Sequence, residues 1–481
     1  MNSLLPNNYI PHFINNKPIF SQGDKIFESV NPATQEVWAQ IAHGGKTEVD
    51  LAVEAARKAF DEGPWPKMTA KERAKILYKL ADLVEKNIDE LAQTDTMDMG
   101  KPIMQSRSKD IPRTVDNFRF FADYIKLSEN ESFPMSDHYH IYTRYDPVGV
   151  TAAISPWNFP MMLASWKVAP ALAFGNTVVL KPAEQTPVSC YRMAELAAES
   201  GVPEGVFNIV HGFGPQDVGE YLTTHPDIDL VTFTGESNTG RAIMKAASPT
   251  LKGLSFELGG KGANIIFEDA DLDEAVDWSI KAIFTNAGQV CLAGSRLYVQ
   301  KDIYKEFLSR FHIKTEQMVV GDPMDQKTEI GPLSSEEHYK KVIGYLDLKE
   351  EEGFTILSGG KGKGWWVKPT ILTGVKNNMR VCREEIFGPI VGIQSFDTEK
   401  DAVQLANDTN YGLNAMLFTE NVRRAHRVAA QLRAGTVWVN CFFIRDLRAP
   451  FGGFGDSGIG REGGKYSKEF FTEPKAVVMQ I

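Results

Sequence analysis

The stretch of chain from residue 150 to residue 234 alternates short apolar segments with helical patterns. Segments 150–154, 177–180, 206–210 and 230–234 are typical of buried strands, and residues 166–174, 187–200 and 215–224 are typical of helices. Strands that alternate with helices form a parallel sheet with helices on its faces. Such a sheet binds ligands beyond the carboxyl ends of its strands. We therefore expect functional side chains directly after these four segments.

The rest of the 481-residue chain is too long for a single core, and its length predicts about two to four domains. A second α/β region is predicted at about 256–438, with helices at 272–284, 304–318 and 336–352. Helices are also predicted near the start of the chain, at 49–60 and 70–87. Residues 474–481 predict a terminal strand that pairs with another chain in an oligomer.

The charge balance of the chain argues against several partners. The formal net charge of −10 disfavours binding to phosphate backbones, so we expect no nucleic acid partner. The first ten residues lack a secretory signal pattern, and the most apolar stretch, 161–174, is too short to cross a bilayer. We expect no membrane association and a cytoplasmic location.

Four cysteines are too few and too widely spaced for a disulfide framework or a zinc site, so no metal is expected. Cys291 differs from the others because glycines flank it on both sides, which favours an irregular, accessible backbone. Cys190 falls in an apolar helical pattern and Cys441 follows a strand pattern. Glu257, which precedes two glycines, is the matching candidate for an acid or base. Taken alone, an inert core cysteine and a surface glutamate remain the commoner explanations.

The segments that follow the predicted strands carry glycine and polar residues, at 155–158, 181–184, 212–214 and 235–240. Glycine-rich turns of this kind admit a diphosphate at a helix N-terminus, although ordinary βα turns have the same composition. The chain contains no GxGxxG fingerprint, so no standard dinucleotide motif is present.

Taken together, these motifs resemble those of the aldehyde dehydrogenase superfamily. The segments FELGGK at 256–261 and GQVC at 288–291 resemble its glutamate and cysteine signatures, and Glu257 and Cys291 stand 34 residues apart (291 − 257). Further matches are PWNFP at 156–160, KPAE at 181–184, FTG at 233–235, EEIFGP at 384–389 and PFGG at 450–453. The similarity extends from about residue 31 to the C-terminus.

The resemblance implies a mechanism that these residue types are able to carry out. Cys291 attacks the aldehyde carbon, and the side-chain amide of Asn158 and the backbone N–H of Cys291 stabilise the oxyanion. Glu257 activates the water that hydrolyses the resulting thioester. Lys167 and Glu462 match the positions of the family's proton relay.

The resemblance also implies NAD as the cofactor. Lys181 and Glu184 are expected to bind the adenosine ribose, where a carboxylate accepts hydrogen bonds from a 2′-hydroxyl and repels a 2′-phosphate. Glu385 is expected at the nicotinamide ribose and Phe387 beside the nicotinamide. The other implied cofactor residues are Ile154, Ser155, Pro156, Trp157, Gly214, Phe233, Gly235, Glu236, Thr239 and Leu258. Glu236 departs from the family, in which serine is common at this position near the diphosphate.

The segment RDLRAPF at 445–451 is similar to that of the 2-aminomuconate and 2-hydroxymuconate semialdehyde dehydrogenases, in which arginines bind the substrate carboxylate. The matching residues here are Arg113 and Arg448, with Phe451 beside the substrate. A guanidinium binds a carboxylate through two parallel hydrogen bonds. Alternatively, Arg448 pairs with Asp446 and only stiffens the loop.

The family architecture implies an α/β fold with a Rossmann-like NAD-binding domain at 1–124 and 148–256 and a second α/β catalytic domain at 257–456. A small β oligomerisation arm is expected at 125–147 and 457–481, in a homodimer or homotetramer. Three alternatives remain: a broad-specificity or betaine aldehyde dehydrogenase, a CoA-acylating enzyme, which would not need Glu257, and an inactive binding protein on the same scaffold.

Overall fold

Two large sheets and two three-stranded sheets organise the protein, in a computed structural model that describes residues 9–23 and 25–481. The strands, in chain order, are β1 (Tyr9–Ile10), β2 (His12–Ile14), β3 (Lys17–Ile19), β4 (Ile26–Asn31), β5 (Glu36–Ala42), β6 (Ser132–Ser136), β7 (Tyr139–Pro147), β8 (Val150–Ile154), β9 (Thr177–Lys181), β10 (Phe207–Ile209), β11 (Leu230–Thr234), β12 (Gly253–Glu257), β13 (Ala263–Ile266), β14 (Arg296–Gln300), β15 (Thr355–Lys361), β16 (Val367–Thr373), β17 (Ile390–Phe396), β18 (Asn414–Phe418), β19 (Thr436–Val439), β20 (Gly458–Ile459) and β21 (Thr472–Gln480).

The helices cover the faces of the two large sheets. They are α1 (Lys46–Asp61), α2 (Ala70–Lys86), α3 (Ile88–Met99), α4 (Ile103–Gln105), α5 (Ile111–Lys126), α6 (Pro160–Ala173), α7 (Val188–Ser200), α8 (Val218–Thr224), α9 (Ser237–Ala247), α10 (Leu272–Phe284), α11 (Tyr304–Glu316), α12 (Glu336–Asp347), α13 (Lys349–Glu352), α14 (Arg380–Arg383), α15 (Glu399–Asn407), α16 (Val422–Ala429) and α17 (Gly464–Phe471).

The first large sheet has the strand order β20-β12-β11-β8-β9-β10-β2-β3. Its central strands β12, β11, β8, β9 and β10 are parallel, and the outer strands pair antiparallel. The four predicted strands are β8 to β11, so the predicted parallel sheet is confirmed. Apolar clusters lie on both faces of this sheet, one formed with α2, α5, α6 and α7 and the other with α1, α8 and α9. Burial on both faces explains why these strands are continuously apolar.

Helix α6 begins earlier than the sequence pattern predicted, at Pro160 instead of residue 166. A proline at the first helical position has no N–H to satisfy and already holds the helical φ angle. The apolar pattern alone did not mark this start, because almost the whole helix is buried. The consequence matters for the site, since α6 starts two residues after Asn158 and carries Lys167 in its middle.

The second large sheet has the order β15-β16-β17-β14-β13-β18-β19, in which every pair except β15 with β16 is parallel. The predicted second α/β region is therefore confirmed. Helix α10 has the predicted bounds, whereas the predicted helix at 336–352 is divided at Leu348 into α12 and α13.

A three-stranded sheet of β6, β7 and β21 contains the predicted terminal strand, which runs from Thr472 to Gln480. Two short segments belong to a different sheet from the one expected from the predicted domain boundaries. Glu257 ends β12 in the first large sheet, and Gly458–Ile459 pairs with β12 as β20, so both belong to that sheet. No helix among the described residues is long and apolar enough to span a membrane.

Candidate active site

Cys291 lies in a turn that the backbone reaches by an unusual path. After α10 the chain passes through Asn286 and Ala287, both with left-handed φ angles (53° and 52°), and Gly288 (φ 72°). Such conformations cost free energy in residues other than glycine and are often found at functional sites. A side chain at position 288 would overlap the carbonyl oxygen of Gly388. The irregular backbone predicted around Cys291 is present, and Cys291 as a residue is partly exposed whereas Cys190 is buried.

Three side-chain amides lock this turn to the segment that carries Asn158. Asn286 Nδ2 donates to the carbonyl oxygen of Asn158 (2.9 Å), and Asn158 Nδ2 donates to that of Gln289 (2.9 Å). Gln289 Nε2 completes the set by donating to the carbonyl oxygen of Asn286 (3.1 Å). The structure thus brings Asn158 beside the Cys291 turn, with one N–H of its amide group uncommitted among the described residues.

Glu257 ends β12, and its carboxylate is buried with no hydrogen-bond partner among the described residues. Burial and the negative charge of Glu462 hold the pKa of Glu257 well above its ordinary value, against the opposing charge of Lys167. The backbone at Gly452 (φ 147°) approaches this carboxylate so closely that a Cβ there would lie 2.8 Å from Glu257 Oε1.

Lys167 and Glu462 form a buried ion pair, with Lys167 Nζ 3.1 Å from Glu462 Oε1. The same ammonium donates to Thr232 Oγ1 in β11 (3.0 Å). Glu462 Oε2 has no partner in the described part of the chain. The charge of this ammonium also acts on Glu257, so the three side chains form one electrostatically linked group.

The thiol of Cys291 is not ionised by its surroundings alone. Burial and the negative charges of Glu385 and Glu257 raise its pKa above the ordinary value, and the positive charge of Arg445 opposes them. Because the thiolate is the nucleophile, formation of the anion requires a proton acceptor nearby.

The cofactor residues predicted at the adenosine end lie at the carboxyl edge of the first sheet. Lys181 is the last residue of β9, and its Nζ lies 3.3 Å from Glu184 Oε2. Glu236 precedes the first turn of α9 and pairs with Lys341 of α12 (3.3 Å). The pair provides a partner for the negative charge of Glu236, the residue that departs from the family pattern.

Glu385 Oε1 accepts a hydrogen bond from the Gly260 N–H (2.8 Å), and burial raises the pKa of Glu385 to about 7. Phe387 has a left-handed backbone (φ 61°), and its ring meets that of Trp157 edge to face with centroids 5.2 Å apart. Trp157 directly precedes Asn158, so this aromatic pair adjoins the Cys291 turn.

The remaining predicted cofactor residues follow the same edge of the first sheet. They end or follow its parallel strands, or begin α9: Ile154, Ser155, Pro156, Gly214, Phe233, Gly235, Thr239 and Leu258. This edge fits NAD by its donor set. Glu184 offers a carboxylate for a ribose diol, and the eleven-residue helix α9 presents its N-terminal N–H groups to a diphosphate. A search of the described residues finds no group of His, Cys, Asp or Glu able to hold a metal ion.

The two predicted carboxylate-binding arginines, Arg113 and Arg448, lie in different environments. Arg113 is half-buried and has no hydrogen bond or ion pair among the described residues. Arg448 is 76% exposed and grips Asp446 through Nε (3.0 Å) and Nη2 (2.6 Å). The alternative that Arg448 pairs with Asp446 therefore describes the observed geometry.

Arg445, which was not predicted as a site residue, lies close enough to Glu462, Glu257 and Cys291 for its charge to interact with theirs. Its guanidinium carbon is 4.2 Å from the centre of the Trp166 ring and 3.7 Å from that of Phe451. Its buried Nε and Nη2 atoms have no hydrogen-bond partner among the described residues. The only feature of the sequence that pointed to Arg445 was the segment 445–448. This segment contains two arginines and does not indicate which of them turns inward.

Comparisons with known proteins agree with this geometry. Residues 19–477 match the profile of the aldehyde dehydrogenase family. The chain is 48% identical to 2-hydroxymuconic semialdehyde dehydrogenase of Pseudomonas sp. (strain CF600), covering 98% of this chain and 99% of the relative. It is 43% identical to 2-aminomuconic 6-semialdehyde dehydrogenase of Pseudomonas sp., covering 96% of each. The NAD+ complex of an aldehyde dehydrogenase from Bacillus cereus superposes with a TM-score of 0.97 at 44% identity, over 99% of this chain and 97% of that one.

The chain belongs to the aldehyde dehydrogenase family and is an NAD-dependent oxidoreductase that acts on an aldehyde.

Proposed function

We propose that this enzyme oxidises a carboxylate-bearing semialdehyde, such as 2-hydroxymuconate or 2-aminomuconate 6-semialdehyde, to the corresponding acid. The observation that carries this proposal is Arg445, whose buried guanidinium nitrogens lack partners beside the reactive groups. The relatives described above that are named for these two semialdehydes support the same substrate class.

The electrostatics around Arg445 favour an anionic ligand. Burial, and the like charge of Arg113, lower the pKa of Arg445 to about 10, so it remains a cation at neutral pH. A buried cation without a partner is unfavourable, and a carboxylate that supplies two hydrogen bonds removes that cost. Arg113 adds a second positive charge. Arg448 does not add one, because it is paired with Asp446. We therefore transfer the predicted carboxylate-binding role from Arg448 to Arg445, with Arg113 in support.

Phe451 forms the wall of this subsite and links it to the catalytic groups. Its ring supports the Arg445 guanidinium, and its backbone exchanges two hydrogen bonds with that of Glu462 (2.9 and 2.7 Å). A betaine-type substrate is disfavoured here, because its quaternary ammonium would approach two arginines.

In the proposed mechanism, Cys291 passes its proton to a solvent water molecule, and the resulting thiolate attacks the aldehyde carbon. The free N–H of the Asn158 amide and the backbone N–H of Cys291 stabilise the negative charge that develops on the carbonyl oxygen. Lys181, Glu184 and Glu385 would hold NAD, which would supply the hydride acceptor needed to convert the aldehyde adduct on Cys291 into a thioester. Glu257 then takes a proton from the water that hydrolyses the thioester, and Lys167 and Glu462 carry that proton away.

The residues proposed to bind NAD yield a test of cofactor preference. Glu184→Ser removes the carboxylate that repels a 2′-phosphate and leaves the Lys181 ammonium free to pair with it. We expect the ratio of kcat/KM for NAD to that for NADP to fall by about 10- to 100-fold, the range of one charge interaction. Glu199→Gln, at an exposed position in α7, serves as the control. An unchanged ratio in Glu184→Ser would place the discrimination elsewhere.

The two arginines of segment 445–448 allow a matched test of the substrate class. Arg445→Gln is expected to raise KM for 2-hydroxymuconate semialdehyde by about 10- to 100-fold, the effect of losing a charged hydrogen-bond partner. Its KM for propanal, which has no carboxylate, should change far less. Arg448→Gln should leave both constants nearly unchanged, since that side chain is exposed and paired with Asp446. Steady-state NADH formation with both aldehydes measures these values.

Two outcomes would contradict the proposal for Arg445. One is an equal loss on both aldehydes in Arg445→Gln, which would indicate a role independent of the carboxylate. The other is a wild-type enzyme that uses propanal as efficiently as the semialdehyde, which would favour a broad-specificity aldehyde dehydrogenase.

We also propose that the enzyme is a cytoplasmic homodimer or homotetramer in which residues 125–147 and 457–481 contribute the contacts between subunits. The C-terminal strand β21 supports this, because it forms an outer edge of its sheet and exposes apolar side chains, with Val478 62% and Met479 47% exposed. All four cysteines are free, as expected in a reducing compartment. We likewise retain the proposed division into domains, apart from the two segments described above.

A further inference from the structure

His338 in α12 contacts both aromatic residues that adjoin the Cys291 turn. Its ring centre lies 5.0 Å from that of Trp157 and 5.9 Å from that of Phe387. His338 Nε2 also lies 2.7 Å from the carbonyl oxygen of Phe387. A carbonyl oxygen only accepts hydrogen bonds, so the proton must be on Nε2.

The Phe387 backbone that His338 holds is in an unfavourable conformation. Its φ of 61° is uncommon for a bulky residue and persists only where the surroundings enforce it. The hydrogen bond from His338 is a direct restraint on this peptide group. The next residue, Gly388, packs against Val342 on the same helix, where an added Cβ would lie 2.7 Å from a valine methyl group. Helix α12 therefore fixes the turn at 387–388 at two points.

The residues just before the same helix also contact the Cys291 turn. The N–H of Ser334 donates to Gln289 Oε1 (3.0 Å), two residues from Cys291. The carbonyl of Gly388 occupies the space that a side chain on Gly288 would need. Residues 334–338 thus contact the Cys291 turn, the Phe387 turn and Trp157, which come from three separate parts of the chain.

We propose that His338 is a positioning residue that sets the distance between the aldehyde carbon bound to Cys291 and the nicotinamide site during the oxidation step. It does so by holding the Phe387 turn through its Nε2 proton and by packing its ring against Trp157. This inference rests on the proposed placement of Phe387 beside the nicotinamide. His338 itself touches no reacting atom.

The charge state of His338 suits a fixed structural contact. Burial lowers the pKa of His338 to about 4, and the positive charge of Lys341 acts in the same direction. The ring therefore stays neutral throughout the neutral pH range, with a single proton committed to the Phe387 carbonyl. The contact does not vary with pH under working conditions.

Two substitutions separate the hydrogen bond from the ring. His338→Phe keeps an aromatic ring between Trp157 and Phe387 but loses the donor, whereas His338→Gln keeps an N–H donor and loses the ring. We expect His338→Phe to lower kcat by about 10- to 100-fold, as small displacements of reacting groups do. His338→Gln is expected to recover a large part of that loss. Thr315→Val, at a buried position in α11 away from these contacts, controls for general damage to the core.

The readouts distinguish positioning from loss of structure. Propanal deuterated at its aldehyde carbon should show a larger isotope effect on kcat in His338→Phe than in the wild type, because the oxidation step becomes slower relative to the others. Calorimetric titration of NAD should show about tenfold weaker binding in this variant. The rate at which iodoacetamide alkylates Cys291 without cofactor should stay within twofold of the wild-type rate, roughly the scatter of unrelated substitutions.

An unchanged isotope effect and unchanged NAD affinity in His338→Phe would overturn the proposal, as would an equal loss of alkylation and oxidation, which would indicate a merely structural role. Propanal is used because it bypasses the arginine subsite. Failure of the carboxylate proposal therefore appears only in the Arg445 variants, and failure of the positioning proposal only in the His338 variants.

Discussion

Replacement of Cys291 by alanine is expected to abolish aldehyde oxidation, with a loss in kcat of more than about 10⁴-fold, as removal of a covalent nucleophile causes in other enzymes. In the proposed mechanism the thioester forms on this sulfur, which lies in the turn that the three interlocked amides join to the Asn158 segment. Cys291→Ser should lose nearly as much, because a hydroxyl is a far weaker nucleophile at neutral pH than a thiol. NADH formation followed by absorbance measures both losses.

Cys441→Ala is the matched control for this experiment. Cys441 is also partly exposed, and it packs at the margin of the same apolar cluster, but it lies outside the locked turn. Its replacement should leave kcat within about twofold, as for a substitution away from the reacting groups. If Cys291→Ala retained substantial turnover, or if Cys441→Ala lost it, the assignment of the nucleophile would be wrong. NAD binding by Cys291→Ala, measured by calorimetry, should persist and would show that the variant is folded.

The parallel sheet and the nucleophile turn were predictable because local pattern and tertiary environment agree there. Strands β8 and β11 have the predicted bounds, since strands buried on both faces must be apolar throughout. The glycines around Cys291 correctly predicted an irregular backbone, because Gly288 has no room for a side chain. The rule that ligands bind at the carboxyl ends of parallel strands indicated only where functional residues were expected, whereas the family resemblance implied the individual cofactor residues, which stay a prediction.

The proposed substrate subsite and the proposed positioning residue were not predictable in the same way. Arg445 and Arg448 lie three residues apart in a loop, where no periodicity indicates which side chain turns inward. That choice depends on Trp166 and Phe451, two rings brought together only by the fold. His338 offers no signal either, because its significance comes from contact with a strained peptide 49 residues away.

Glu257→Gln is expected to separate the two halves of the reaction. The amide cannot take a proton from water, so hydrolysis of the thioester should slow by about 10²- to 10⁴-fold, the usual contribution of a general base. Thioester formation should still occur once, so rapid mixing should show a burst of about one NADH per active site. Acid quench and mass spectrometry of the intact protein should then find the acyl group on Cys291. Glu199→Gln, the exposed control, should turn over normally without accumulating this adduct.

The pH dependence provides an independent test of the same base. Burial and the charge of Glu462 raise the pKa of Glu257 well above its ordinary value, so this carboxylate is largely protonated at low pH and ionises as the pH rises. Only the ionised form accepts a proton from water, and the hydrolysis rate of the wild type should therefore increase with pH and level off above that pKa. Glu257→Gln should lose this rise and retain only attack by hydroxide. If the burst itself disappeared in this variant, Glu257 would act before the thioester forms, as the acceptor of the Cys291 proton, and its assignment to hydrolysis alone would be wrong.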